Sequence, residues 1–273
     1  MENSHISQNL HRIVVKIGSS TLTHPTGKLN LHRIEVLART LSDLKNRGHE
    51  VVLVSSGAVS AGIARLGLTH RPRSAEEKQA LAAVGQSQLM KIYEQIFGSY
   101  GYCVGQILMT KDVLDDLTRR AAAQNTFEQL IGMGCIPIVN ENDSVSSEEL
   151  NFGGNDTLSA YVALVTHADL LVNLSDIDGL YDSDPRKNPN AKKIDRVEKI
   201  DDTIYSYAGG AGTERGTGGM VTKIKAAAIV AEKGIPMVIV NGTDPEILYD
   251  IIEGKCPGTY FCALSKGNSS KAV

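Results

Sequence analysis

Two lysines stand where an anionic ligand can be expected. Lys16 interrupts an otherwise apolar run, 12–18, and an ammonium in such a run is costly to bury unless it meets an anion or a crevice. Lys223 ends a glycine-rich stretch, 209–223, and leads into an Ala-rich segment predicted as a helix over 224–233. Backbone N–H groups of glycines and the positive end of a helix bind phosphate. We favour phosphate binding over a lysine lying along the surface or a flexible loop.

Two clusters of carboxylates and amides follow a third apolar run. They are Asn-Glu-Asn-Asp at 140–143 and Phe-Gly-Gly-Asn-Asp at 152–156, joined by a segment that could form a hairpin. Such clusters can bind an ammonium, order lysines or hold a metal ion. Alternatively, Asn155 or Asp156 only caps the following helix, predicted over 157–167. That alternative leaves the first cluster unexplained.

Two further strand ends have unusual composition. The small residues Ser-Ser-Gly-Ala at 55–58 let backbone N–H groups approach an anion, or simply form a tight turn. An acidic loop spans 173–186, but its glycine is misplaced for an EF-hand and no Glu stands at the twelfth position. A nucleotide-binding turn fits this loop better than a calcium site.

Familiar nucleotide motifs are missing from the sequence. It has no G-x-x-x-x-G-K-[ST] loop and no G-x-G-x-x-G, since Arg215 stands where the third glycine would be. The protein-kinase motifs and the G-x-S-x-G elbow are also missing. Any nucleotide site must therefore be of another kind.

The elements that must position these residues alternate between strand and helix. Helical spacing from Leu31 to Leu44 ends near Gly48, Ser74 opens a helix through a capping box with Glu77, and Asp244-Pro245 opens another. Apolar, β-branched runs predict strands at 12–18, 50–55, 102–108, 135–139, 168–174 and 235–240. This alternation predicts an α/β fold with a parallel sheet and helices on both faces. Ligands of such sheets bind at the carboxyl ends of the strands, where the polar clusters stand.

Composition limits the classes of function. The chain has 273 residues, with 28 Lys plus Arg against 31 Asp plus Glu, a balance that disfavours nucleic-acid binding. It lacks a span-length apolar stretch and a signal-like start, and its four scattered cysteines suit reduced thiols, so we expect a cytoplasmic protein without a membrane partner. We expect an N-terminal extension at 1–11, a folded domain at 12–263 and a polar, disordered tail at 264–273.

The polar strand ends, taken in order, resemble the amino-acid kinase superfamily over residues 12–261. Within it they are most similar to the branch that phosphorylates L-glutamate. The stretches that carry the resemblance are Val15–Ser20, Val54–Val59, Pro137–Asp143, Gly153–Asp156, Gly179–Arg186 and Gly216–Lys223. The stretches at 140–143 and 216–220 are the selective ones. The resemblance implies a three-layer αβα sandwich with a mainly parallel central sheet.

The resemblance also implies a reaction and roles for residues. ATP, with Mg²⁺, would phosphorylate the side-chain carboxylate of L-glutamate to give L-glutamyl 5-phosphate, the first step of proline biosynthesis. Lys16, Asp156 and Lys223 would be catalytic, with Asp156 ordering the lysines. The glutamate site would comprise Ser56, Gly57, Ala58, Asp143 and Asn155. The ATP site would comprise Lys16, Gly18, Ser175, Asp176, Thr217, Gly218, Gly219, Met220, Val221, Thr222 and Lys223. A homo-oligomer and feedback inhibition by proline would follow.

The sequence departs from the family pattern in two places. Gly154 replaces an aspartate of many relatives, and Asn151 a lysine of some, so substrate or metal binding could differ. Many relatives also continue into a C-terminal domain of RNA-modifying-enzyme type, and this chain resembles the short form. The alternatives are a sister kinase for N-acetylglutamate, aspartate or another small acid, and a catalytically silent ligand sensor.

Overall fold

The computed structural model describes residues 6, 10–146, 152–208 and 219–264. The described elements are, in chain order, β1 (Arg12–Ile17), α1 (Ser19–Leu22), α2 (Leu31–Asn46), β2 (Glu50–Ser55), α3 (Ala58–Leu66), α4 (Ala75–Ser99), β3 (Val104–Met109), α5 (Asp112–Asp115), α6 (Leu117–Gly132), β4 (Ile136–Glu141), α7 (Asn155–Val165), β5 (Leu170–Ser175), β6 (Leu180–Tyr181), β7 (Lys193–Ile194), β8 (Arg196–Val197), α8 (Asp202–Tyr207), α9 (Met220–Ala231), β9 (Met237–Asn241), α10 (Ile247–Ile252) and β10 (Thr259–Phe261).

The central sheet has eight strands in the order β3-β4-β2-β1-β5-β9-β10-β8. Every pairing in it is parallel except that of β9 with β10. Buried side chains of α2, α4 and α10 pack on one face, and those of α6, α7 and α9 on the other. The predicted three-layer sandwich with a mainly parallel sheet is confirmed.

Strand alternation decides which way Lys16 points. Ile13, Val15 and Ile17 belong to the core on the α2 and α4 face, whereas Val14 belongs to the core on the α7 and α9 face. Because side chains of a strand alternate between faces, Lys16 lies on the same face as Val14. The strand therefore aims the ammonium at α7 and α9.

Both helices on that face begin earlier than the sequence predicts. Helix α7 begins at Asn155 rather than 157, and α9 begins at Met220 rather than 224. Their N-cap positions are Gly154 and Gly219, and neither helix has a side-chain cap. The prediction that Asn155 or Asp156 caps α7 is therefore wrong. The glycines start each helix without a capping side chain, which places the functional residues inside the first turn.

Two other helix starts also differ in detail. The Ser74 hydroxyl accepts the N–H of Glu77 at 3.2 Å, as a capping box requires. The Glu77 carboxylate, however, accepts the N–H of Arg73 at 2.6 Å rather than that of Ser74. Helix α10 begins two residues after Pro245, because the Asp244 carboxylate accepts the N–H of Glu246 and forms a turn there.

Helices α3 and α4 approach each other through glycines. A Cβ at Gly85 would lie 1.7 Å from the carbonyl oxygen of Ala58, and one at Gly62 would lie 2.0 Å from that of Leu81. Real side chains do not tolerate such distances, so only glycine allows this contact. The contact fixes the first turn of α3 against α4, and both helices reach the site described below.

The remaining expectations fall partly outside the described chain. All four cysteines are free thiols. None of the described helices is both long and apolar enough to cross a bilayer. Ile6 and Leu10 are buried in the core, so part of the predicted extension packs against the domain. The tail after 264 and the hairpin segment at 147–151 lie outside the described residues, and the boundaries 12–263 stay a prediction.

Candidate active site

A cavity of about 460 Å³ opens at the carboxyl edge of the sheet, where β1 lies between β2 and β5. From β1 the chain continues to β2 on one side, whereas from the neighbouring β5 it continues toward β9 on the other. Open α/β sheets bind ligands where the strand order reverses in this way. The lining comprises Lys16, Gly18, Ser19, Ser20, Ser56, Gly57, Ala58, Val59, Ser60, Lys78, Asn140, Glu141, Asp143, Gly154, Asn155, Asp156, Leu174, Ser175, Asp176 and Lys223. The polar strand ends predicted from sequence therefore converge on one site.

Two buried lysines share one buried carboxylate in this cavity. Lys16 Nζ lies 2.5 Å from Asp156 Oδ1, and Lys223 Nζ lies 3.2 Å from Asp156 Oδ2. The exposed fraction is 5% for each lysine and 2% for the aspartate. The lysines come from β1 and α9 and the aspartate from α7, so the fold itself brings this group together. Two ammonium groups paired with one carboxylate leave a net positive charge, which attracts a further anion.

Two more side chains contact Asp156. Thr222 Oγ1 lies 2.7 Å from Asp156 Oδ2 and also 2.7 Å from the carbonyl oxygen of Gly219. The Asn173 amide donates to Asp156 Oδ1 at 2.8 Å, from the position on β5 that pairs with Lys16. The buried Asn173 Oδ1 has no hydrogen-bond partner among the described residues. An unpaired buried oxygen costs stability, and the bond that the same amide donates to Asp156 offsets part of that cost.

The charges of this group shift its pKa values. Burial lowers the pKa of Lys16, and the charge of Lys223 lowers it further, while Asp156 opposes both. Burial alone would raise the pKa of Asp156, but the charges of Lys16 and Lys223 and the hydrogen bonds from Lys16 and Thr222 lower it well below its usual range. These contacts keep Asp156 ionised, and its carboxylate holds both lysine side chains.

A second group of charges lines the cavity around Asp143. Lys78 Nζ lies 3.1 Å from Asp143 Oδ1. Glu141 accepts hydrogen bonds from the Phe152 N–H at 3.1 Å and the Ser146 hydroxyl at 3.2 Å. Burial raises the pKa of Glu141, and the nearby charge of Asp143 adds to that. The charges that act on Glu141 are those of Asp143 and Lys78, whereas those that act on Lys16 are Asp156, Lys223 and Asp176.

An amide network lies in the same lining. The Asn155 amide nitrogen lies 2.8 Å from Ser56 Oγ, 2.9 Å from Asn140 Oδ1 and 3.2 Å from the carbonyl oxygen of Ser55. Asn140 in turn donates to Gln86 on α4 at 2.9 Å. These bonds orient the Asn155 amide, and Ser56, as an acceptor from it, can donate its own hydroxyl proton elsewhere.

Two glycines of the lining adopt backbone conformations that L residues rarely take. Gly57 has a φ of 103° directly before α3, so the first N–H groups of that helix face the cavity without a side-chain cap. Gly154 has a φ of 119°, and a Cβ there would meet no atom within 4 Å. The position of Gly154 has room for a side chain, but its backbone conformation is strained for one.

The structure places most of the predicted site residues together. Those that line the cavity are Lys16, Gly18, Ser56, Gly57, Ala58, Asp143, Asn155, Asp156, Ser175, Asp176 and Lys223. Gly219, Met220, Val221 and Thr222 begin α9 but do not line it; Met220 packs against the core, and Thr222 contacts Asp156. Thr217 and Gly218 lie outside the described residues. The roles assigned to all of these residues stay predictions.

Sequence reasoning missed Lys78 and Asn173 as site residues. Lys78 is one of several charged residues early in a capped helix, and nothing in its sequence neighbours marks it. Asn173 carried a usable signal, because it is an amide inside the apolar strand run 168–174, as Lys16 is a cation inside 12–18. The same argument of a polar group that needs a buried partner applies to both.

The carboxylates of the site suit a metal ion that arrives with a ligand. No group of three or more His, Cys, Asp or Glu side chains in the described ranges could hold a metal by itself. Asp156 is engaged by its lysines, whereas Asp176 is exposed at the cavity. Mg²⁺ usually takes one or two carboxylates together with substrate phosphates, and this donor set fits that mode.

The parallel sheet with paired lysines at its carboxyl edge defines a phosphoryl-transfer class of α/β protein, because such lysines neutralise charge on a transferring phosphoryl group. The sequence matches the amino acid kinase family over residues 11–241, and the chain belongs to that family. The family resemblance drawn from sequence is confirmed.

Three proteins that share more than half of their aligned residues with this chain are glutamate 5-kinases. Glutamate 5-kinase of Clostridium tetani is 55% identical over 257 residues, which cover 94% of this chain and 96% of that protein. Glutamate 5-kinase of Clostridium acetobutylicum is 53% identical over 94% of this chain and 97% of that protein. Glutamate 5-kinase of Carboxydothermus hydrogenoformans is 52% identical over 96% of this chain but only 70% of that longer protein.

Solved structures with low sequence identity share the fold. UMP kinase from Ureaplasma parvum has a TM-score of 0.64 at 16% identity, covering 93% of this chain and 99% of that one. An isopentenyl phosphate kinase has a TM-score of 0.63 at 17% identity, covering 92% and 100%. These two likenesses support the fold alone.

Proposed function

We propose that the chain transfers the γ-phosphoryl group of ATP to the side-chain carboxylate of L-glutamate. The products are L-glutamyl 5-phosphate and ADP, and the reaction is the first step of proline biosynthesis. The observation that carries the proposal is the buried Lys16–Asp156–Lys223 group at the carboxyl edge of the sheet. The 53–55% identity to the clostridial glutamate 5-kinases supports the choice of substrate.

The chemistry needs charge neutralisation more than a general base. The nucleophile is a carboxylate, already ionised at neutral pH, so no proton has to be removed before it attacks phosphorus. Attack forms the C–O–P bond of the acyl phosphate as the bond to ADP breaks, and charge develops on the equatorial oxygens. Lys16 and Lys223 supply positive charge to these oxygens, and Asp156 fixes both lysines beforehand.

ATP and Mg²⁺ complete the proposed reaction. The first turn of α9, preceded by the stretch that contains Thr217 and Gly218, would receive the phosphates at its positive end. Ser175 and Asp176, at the end of β5, stand beside Lys16 on β1. Bound Mg²⁺ would neutralise the charge of the phosphates. The exposed Asp176 carboxylate would hold the ion together with the phosphates.

The second group of charges favours a substrate with a free amine. Asp143 is a partner for the α-ammonium of glutamate, and Ser56 can donate to a substrate carboxylate. N-acetylglutamate carries no ammonium, so the Asp143 carboxylate would have no positive charge on that substrate to pair with. This favours L-glutamate over the acetylated acid within the same fold.

A hydroxamate assay for acyl phosphate tests the proposal. With MgATP, we expect product with L-glutamate but not with N-acetyl-L-glutamate or L-aspartate, and we expect Lys223→Ala to abolish it. Product with another acid alone would move the specificity and keep the mechanism. Ligand binding without turnover for every acid would overturn the proposal in favour of the silent sensor.

Three further properties are proposed with this function. A homo-oligomer is supported by apolar side chains exposed around the edge strand β3 and helix α6, such as Leu117 at 70% and Met133 at 72%. Inhibition by proline and a cytoplasmic location follow from the proposed pathway and its use of ATP. Sedimentation analysis and proline titration in the hydroxamate assay test the first two; a single monomeric species or unchanged rates in millimolar proline would contradict them.

A further inference from the structure

Lys78 is a cation of the cavity for which the proposed reaction has no role so far. It is the fourth residue of α4, its Nζ lies 3.1 Å from Asp143 Oδ1, and both residues line the cavity. Its side chain is 47% exposed and that of Asp143 is 18% exposed. The pair therefore stands at the accessible side of the site.

Stability does not explain this lysine. A half-exposed ion pair contributes about 0–1 kcal/mol. Lys78 also stands in the first turn of α4, where the positive end of the helix disfavours a cation. A lysine in that position gains little stability from its ion pair and stands in an unfavourable local field. A role in ligand binding in the cavity would explain its presence better.

The charges of an amino acid explain it better. Glutamate carries an ammonium and a carboxylate on its α-carbon, and a second carboxylate two methylenes away. The lysines that line the cavity within the described residues are Lys16, Lys78 and Lys223. The first and third are held on Asp156, where the phosphoryl group is transferred. Lys78 is the lysine that remains for the α-carboxylate, beside the Asp143 carboxylate that suits the α-ammonium.

We infer that Lys78 recognises the α-carboxylate of the amino-acid substrate. The inference rests on the proposed function and deepens it. Asp143 and Lys78 form a pair of charges complementary to the α-ammonium and α-carboxylate, and the side chain of the substrate extends from this pair toward Lys16 and Lys223. Specificity for an α-amino acid is then set at one end of the cavity and chemistry at the other.

The test compares L-glutamate with 4-aminobutyrate, which is glutamate without its α-carboxylate. In Lys78→Met we expect the KM for L-glutamate to rise about 10- to 100-fold, the effect of losing one charge-assisted contact, with kcat within about twofold. The inhibition constant of 4-aminobutyrate against L-glutamate should stay within about twofold, because that ligand never used Lys78. Lys78→Arg should restore much of the glutamate affinity.

Lys255→Met is the matched control, since Lys255 is also half-exposed and paired with an aspartate, Asp250, at 3.0 Å, but lines neither this cavity nor the adjoining one. It should leave both constants unchanged. An equal loss for glutamate and 4-aminobutyrate would overturn the inference, because Lys78 would then act only through Asp143. An unchanged KM would also overturn it and assign the α-carboxylate to the N–H groups at the start of α3.

The role of Lys78 and the proposed function can be tested separately. If the wild-type protein makes no acyl phosphate from L-glutamate, the proposed function fails. Calorimetric titration of L-glutamate into the wild-type protein and Lys78→Met then decides the inference. Tight wild-type binding lost in the variant supports it, and equal or absent binding overturns it.

Discussion

Replacement of Asn173 by leucine should slow the reaction while leaving the fold nearly as stable. Asn173 is not itself part of the cavity lining, but its amide donates to Asp156 Oδ1 at 2.8 Å beside Lys16. In the proposed reaction it is a positioning residue, because it acts through the carboxylate that holds Lys16 and Lys223. Leucine has the same branching at Cγ but no donor, so the change removes this one hydrogen bond, and its larger methyl groups cost about 1 kcal/mol of overpacking at this buried position.

Two opposing terms set the expected stability. A hydrogen bond to a charged group is worth about 1.5–3 kcal/mol, and its loss destabilises the variant. The same change removes the buried Asn173 Oδ1, which has no partner among the described residues, and relieves about 1–3 kcal/mol. The terms nearly cancel, so Tm should move by no more than about 2–4 °C.

No such compensation exists for catalysis. Asp156 keeps its contacts with Lys16, Lys223 and Thr222, so we take the lower end of the range, about 1.5 kcal/mol, for the loss of lysine placement. That amount corresponds to about a tenfold fall in kcat. The KM for L-glutamate should change by less than about twofold, because Asn173 does not line the cavity.

The hydroxamate assay and thermal unfolding measure the two effects on the same preparation. Ser42→Ala is the matched control, since Ser42 on α2 also carries a buried oxygen without a described partner but lies away from the cavity. It should keep the wild-type kcat. The reasoning is refuted if Asn173→Leu keeps kcat, or if kcat and Tm both collapse, since the second result would mean that Asn173 only supports folding.

Three other predictions concern the lysines, the glycine contact and acid stability. Lys223→Ala should lower kcat by orders of magnitude with little change in glutamate binding, whereas Asp143→Ala should mainly raise the glutamate KM; loss of binding alone in both variants would contradict these roles. Gly85→Ala places a Cβ 1.7 Å from the carbonyl oxygen of Ala58, so the unfolding free energy in urea should fall by about 1–3 kcal/mol, and an unchanged midpoint would show that α3 and α4 can separate at no cost. The pKa of Asp156 is lowered on folding from its ordinary 3.8, so its stabilising effect is present above about pH 4 and is lost as pH falls below that; urea unfolding should show a steeper loss between pH 5 and 3 for wild type than for Asp156→Asn, and parallel curves would contradict it.

Most of the sheet could be predicted from sequence because its strands are buried on both faces. Runs such as 12–17 and 50–55 consist almost wholly of apolar residues, and few structures other than a parallel strand bury them. The short strands β6, β7 and β8 escaped prediction, since two residues give no periodicity to detect. The starts of α7 and α9 were misplaced, because glycine N-caps lack the side-chain signal that marks a helix start.

Most residues of the site could be predicted from sequence, but the contacts between them could not. Lys16 and Lys223 were marked by local sequence, yet nothing local shows that both contact Asp156, which is 140 residues from the first and 67 from the second. The resemblance to a known family supplied that link. Thr222 is predicted to bind ATP, and its hydroxyl also contacts Asp156. The sequence could not show that contact, because it depends on where α9 begins.

The cost of the buried charges supports function as the reason for their presence. Removing one partner of a buried ion pair costs about 3–5 kcal/mol, but well-packed apolar residues often stabilise a fold as much as the complete pair does. Selection for stability alone would therefore not require Lys16 on the central strand, or Asp156 and Lys223 on the helices that pack against it. What apolar residues cannot provide is fixed positive charge at a water-poor strand edge before the substrate arrives. That preorganisation stabilises a transferring phosphoryl group, which connects the unfavourable burial of these residues to the proposed chemistry.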